Sequence, residues 1–85
     1  MVDTKPEKRM RLVFAGTHEE FRCCCRDQGW IPGHHATYVN DEMQLRGLDP
    51  KKVLIVRYGR HHLNKAVYSD YLKMLEAKGA EILWV

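Results

Sequence analysis

The run Leu12-Val13-Phe14-Ala15-Gly16 is apolar until it stops on a glycine, and Thr17-His18-Glu19-Glu20 follows at once. A short apolar run that does not alternate reads as a strand buried on both faces. Thr at an N-cap with Glu three residues on is the signature of a capping box. The two glutamates also suit the positive end of a helix dipole. A buried strand passing straight into a helix points to a sheet covered by helices, and so to an α/β fold.

The rest of the chain repeats that alternation. The first helix is expected from His18 to Gln28, stopped by Gly29, with Phe21, Cys24, Cys25 and Gln28 on the face toward the sheet. Trp30-Ile31-Pro32-Gly33-His34-His35 reads as a loop, and Ala36-Thr37-Tyr38-Val39 as a short strand. Asn40 is placed to cap a helical turn over Asp41 to Leu45, ended by Gly47, and Asp49-Pro50 is a turn. Val53-Leu54-Ile55-Val56 is the strongest strand. It runs on through Arg57 and Tyr58, whose side chains should face opposite sides, and ends at Gly59. After the loop Gly59-Arg60-His61-His62-Leu63, Asn64 is a cap for a helix from Lys65 to Lys78. Its apolar stripe is Val67, Tyr71, Leu72 or Met74, and Leu75, with Gly79 as terminator. Glu81-Ile82-Leu83-Trp84-Val85 closes as a strand.

The expected architecture is a small Rossmann-like three-layer α/β domain over residues 10–85, behind a flexible lead-in over residues 1–9. Its four-stranded sheet is mainly parallel, in the order 2-1-3-4, with right-handed crossovers and helices on both faces. At 85 residues the chain has room for one domain. A domain this small buries only about 60% of the surface its unfolded chain exposes. An apolar fraction of 45% and a charged fraction of 29% fit a folded globule. No apolar run approaches the roughly 20 residues that cross a bilayer. The first nine residues lack the apolar core of a signal peptide, so a cytoplasmic location is expected. Three contiguous cysteines, Cys23, Cys24 and Cys25, make a poor disulfide framework and read as reduced thiols.

In open parallel sheets, ligands bind beyond the carboxyl ends of the strands, where the strand order reverses. Here that point falls between the first and third strands. The candidate ligand-binding residues are therefore Gly16, Thr17 and His18 from one exit, and Gly59, Arg60 and His61 from the other. A helix N-terminus with an arginine suits a small anion such as phosphate or carboxylate. Capping and turn geometry explain the same residues without a ligand. Neither G-x-G-x-x-G nor G-x-x-x-x-G-K-[ST] is present, so this is no nucleotide signature.

No cofactor, metal or catalytic set is expected. Three adjacent thiols on a helix point about 100° apart and cannot converge on one ion. Adjacent histidines on an extended loop diverge in the same way, so His34-His35 and His61-His62 each offer at most one ligand. The single serine, Ser69, lies inside the second expected helix, away from any Gly-x-Ser-x-Gly turn. The net charge is +3, but Arg46, Lys51, Lys52, Arg57, Arg60 and Lys65 against Asp49 exceed that within residues 46–65. Sharing one face, Arg46, Lys51, Lys52, Arg60 and Lys65 would contact phosphate backbone or an acidic protein.

Four segments in order, Leu12-Val13-Phe14-Ala15-Gly16, Tyr38-Val39, Leu45-Arg46-Gly47-Leu48 and Val56-Arg57-Tyr58-Gly59, resemble small accessory proteins of actinobacterial tailed phages, mycobacteriophages among them. The resemblance spans roughly residues 11–60 and brings no catalytic motif. It implies a non-enzymatic accessory protein, acting in the cytoplasm of an infected bacterium on a host or phage protein. A homodimer formed through the last strand is a further expectation. The alternative is a binder of nucleic acid or of a small anion at the carboxyl end of the sheet.

Overall fold

The computed structural model describes residues 9–85. Strands β1 (Met10–Phe14), β2 (Ala36–Tyr38), β3 (Val53–Arg57) and β4 (Glu81–Trp84) form one sheet. All neighbours are parallel and the order is β2-β1-β3-β4. This is the expected Rossmann-like topology. The two most apolar strands hold the centre, with Leu12 opposite Ile55 and Val13 opposite Val56. A parallel strand inside such a sheet has no face left for water, so apolar side chains occupy every position that is covered from both sides.

Alternation along β1 and β3 divides the core between two layers. Val13, Ala15, Leu54 and Val56 face helix α1 (His18–Gln28) and meet Phe21, Cys24 and Cys25. Leu12, Phe14, Val53 and Ile55 face the other way, toward Leu45, Val67 and the helix α2 (Asp70–Ala77) residues Leu72 and Leu75. The α1 boundaries match the sequence reading, and Gly29 stops the helix in the left-handed region at φ 75°. Gln28, expected on the packed face, is exposed: it is the last residue of the helix, beyond the buried pair Cys24 and Cys25.

The second crossover differs from expectation. Lys65 to Lys78 is not one helix. A 3₁₀ turn over Lys65–Tyr68 is followed by a break at Ser69, and α2 starts afresh at Asp70. Each piece has its own cap: the Asn64 side chain accepts from the Ala66 N–H at 2.9 Å, and the Ser69 hydroxyl from the Tyr71 N–H at 3.1 Å. The break lets Ala66 and Val67 reach the core alongside Leu72 and Leu75, which one straight helix would place around more of its circumference. Leu72 belongs to the stripe and Met74 is exposed. A similar shift corrects the first short turn. It is a 3₁₀ turn over Glu42–Leu45 and its cap is Asp41 rather than Asn40, with Gln44 completing a capping box. The expected lead-in over residues 1–9 lies outside the described residues except for Arg9, which is ion-paired with Glu81.

Candidate functional site

The carboxyl ends of β1 and β3 lie side by side, as the strand order requires. Gly16 leaves β1 so close to the other exit that a Cβ built on it would lie 2.7 Å from the Arg60 carbonyl oxygen. Only a glycine allows that approach. Thr17 caps α1, its hydroxyl accepting from the Glu20 N–H at 3.2 Å. The reciprocal half of the expected capping box is replaced. The Glu20 carboxylate does not turn back to Thr17 but spans the crevice. Its Oε1 accepts from the Gly16 and Arg60 N–H groups, both at 3.1 Å, and its Oε2 accepts from Arg60 Nε at 2.7 Å.

The crevice between β1 and β3 thus holds an anion already, supplied by the chain. Two backbone donors and a guanidinium converge on Glu20, the donor set a phosphate would use. The Arg60 side-chain hydrogen bond is the main reason the Glu20 carboxyl titrates below its ordinary value, and the backbone donors add to it. Arg60, read from the sequence as a clamp for a bound anion and as part of a basic surface, holds Glu20 through Nε while its side chain stays 63% exposed.

The histidines do not gather there. The His18 ring sits on the β2 side against Phe21 and Tyr38, at 5.5 and 5.4 Å between centroids. The His61 ring sits on the β4 side, 5.4 Å from the Trp84 ring. Arg57 lies between, bonded to Glu76 in α2 at 3.0 Å with its guanidinium 5.1 Å from the Trp84 ring centre. Burial, then the positive charges of Arg57 and His62, push the His61 pKa down. Tyr58 faces the opposite layer, as alternation requires, and donates its hydroxyl to Asp27 at 3.1 Å.

Sequence reasoning saw Asn64 as a cap and missed its larger role. Its Nδ2 donates to the Ala15 carbonyl at 2.9 Å and the Val39 carbonyl at 2.6 Å, beyond the ends of β1 and β2. One buried amide therefore joins two strand exits to the second crossover. The only signal for this was an Asn preceding an apolar pair, which is also how an ordinary cap looks. Beside it, Asn40, Asp41, Glu42, Lys65, Tyr68 and Ser69 line a groove of about 470 Å³. Ser69 donates to Glu42 across this groove at 3.2 Å. Tyr68 is 63% exposed, yet its hydroxyl is fixed to the His62 carbonyl at 2.8 Å, and neighbouring Leu63 is 57% exposed.

The sheet divides the basic stretch. Lys51 and Lys52 precede β3, whereas Arg57, Arg60 and Lys65 lie at or beyond its far end. Arg57 and Arg60 are neutralised by Glu76 and Glu20. The amino end of the sheet carries a second concavity of about 330 Å³, lined by Arg9, Arg11, His34 and His35 among others. There Arg11 donates to the His35 carbonyl and lies over Trp30.

Among the described residues no group of three His, Cys, Asp or Glu side chains could hold a metal. Cys24 and Cys25 are packed against the sheet as small apolar groups. Burial pushes the Cys24 thiol up to about 11 and raises Cys25 as well, so neither is a ready nucleophile. Among the same residues no helix is long and apolar enough to cross a membrane. The fold and site define a small three-layer α/β domain whose switch-point crevice is closed by its own carboxylate. Compared with family models, curated proteins and solved structures, the chain has no match.

Proposed function

We propose that this domain works by binding another protein and not by catalysis. The observation that carries the reading is Glu20: the crevice where a domain of this topology takes a small ligand is occupied by a side chain of the domain itself. What the same end of the sheet offers outward is Tyr68 and Leu63. A tyrosine already held by a hydrogen bond loses little freedom when a partner covers it, and aromatic anchors of this kind dominate protein interfaces. The resemblance to phage accessory proteins supports a host or phage protein as the partner.

The test is retention of a partner by the immobilised full chain from nuclease-treated lysate of an actinobacterial host. The expected result is a protein held by the wild type and lost when Leu63→Lys is combined with Tyr68→Ala. A retained set that is unchanged by that pair of substitutions, or an empty one, overturns the reading.

A further inference from the structure

The sheet has two edges, and the chain treats them differently. An open strand edge is a template for another strand, and folded proteins guard theirs by shortness, proline or cover. β2 has all three. It is three residues long, Pro32 forms a bridge to Ala36, and the Gly33 N–H donates to the Ala36 carbonyl at 2.8 Å on its outer side. β4 has β3 on one side and no strand on the other among the described residues. Val85 donates its N–H to Arg57 at 3.0 Å, inward. Backbone groups alternate along a strand, so those of Ile82 and Trp84 point outward and free.

We propose that β4 pairs antiparallel with β4 of a second copy, joining two sheets into one of eight strands about a two-fold axis at Leu83. That register brings Ile82 opposite Trp84 of the second copy, and the reverse, with both partners offering outward N–H and C=O groups. It makes four main-chain hydrogen bonds and sets Leu83 against its own symmetry mate. The charges fit it. Glu81, the strand's single charge, falls opposite Val85 and is already ion-paired with Arg9. Moving the axis one residue earlier would bring the two Glu81 side chains toward each other. Trp84 is prepared for the contact. It is 62% exposed, yet Arg57 and His61 hold its ring, so covering it costs little side-chain freedom.

This pairing uses none of the residues of the heterologous surface. A monomer that still retains a partner protein ends this proposal and leaves that reading intact. The experiment is sedimentation of the full chain up to about 200 µM, since small interfaces bind weakly, beside Trp84→Lys, with circular dichroism to confirm that both are folded. A wild-type dimer whose dissociation constant rises at least about tenfold in Trp84→Lys (1.4 kcal/mol) is expected. The register is read by mild oxidation in a Cys23→Ser background. Leu83→Cys should form a covalent dimer, because facing residues of a non-hydrogen-bonded pair lie about 4.5 Å apart at Cα. Ile82→Cys, which would not face itself, should not. A wild type that stays monomeric, a Trp84→Lys dimer of unchanged strength, or equal cross-linking at both positions overturns the proposal.

Discussion

The two central strands leave the sheet side by side, and each ends on a glycine, yet the chain handles the two exits in opposite ways. After β1, Gly16 passes at once into an eleven-residue α-helix with its cap in place. After β3, the chain makes two 3₁₀ turns and changes cap twice before α2 begins. The difference follows from what each exit must satisfy. The first serves its own helix N-terminus through Thr17 and ties itself to the second through Glu20, whose carboxylate accepts from Gly16 and Arg60. The second must also supply donors for the Ala15 and Val39 carbonyls, which lie buried beyond their strands, and Asn64 is carried to them by the detour. A helix starting directly at Gly59 would have no side chain there.

The sharpest way to break this contrast is Asn64→Ala. It removes the Ala66 cap and leaves two buried carbonyls without donors, each omission worth about 1–3 kcal/mol. A loss of about 3 kcal/mol is expected, seen as a melting temperature lower by roughly 12–24 °C in a domain of this size. A loss no greater than that of an ordinary cap, about 1 kcal/mol, would mean that the detour serves packing alone.

Gly16→Ala should cost somewhat less. The new methyl meets a backbone oxygen rather than a yielding side chain, so one exit must move against the other, at about 1–3 kcal/mol. Denaturant titration checks it, and a neutral result would show that the exits are not locked together.

Glu20→Gln is the mildest change, because the amide oxygen still accepts from both backbone groups, and what is lost is the charge and the Arg60 Nε hydrogen bond, which the amide NH2 cannot accept. About 1 kcal/mol is expected at pH 7. The pH dependence is more telling. The Glu20 carboxyl titrates below its ordinary value of 4.5 in the folded chain. Its contribution is therefore full above that pH and is lost as the pH falls below it toward the depressed value. The gap between wild type and Glu20→Gln should close over that acid range in thermal melts, and a constant gap would remove the charge from the account.

The same contrast shows what could be read in the sequence. The β1-to-α1 passage was legible to the residue because the signals that set its bounds are local: apolar run, glycine, cap, acidic first turn. The strand order followed from placing the two most apolar strands, which carry Leu12-Val13-Phe14 and Val53-Leu54-Ile55-Val56, at the centre, where both faces are covered. The split at Ser69 was not, since Val67, Leu72 and Leu75 satisfy a helical period whether or not a serine interrupts it. Glu20 was read as half of a capping box because its partners, Gly16 and Arg60, include one forty residues away, and one-dimensional spacing carries no trace of that contact. The basic stretch failed for the same reason. Nearness in sequence along a strand means separation in space, and β3 puts its length between Lys52 and Arg60.

The cysteine triplet has a use beyond packing. Cys24 and Cys25 are buried with raised thiols, while Cys23 is exposed on the same turn of α1. In the native state a maleimide therefore finds one fast site, and in the unfolded chain it finds three. The number of labels acquired per molecule is a mass-resolved reporter of whether α1 is seated on the sheet, built into the sequence with no tag added.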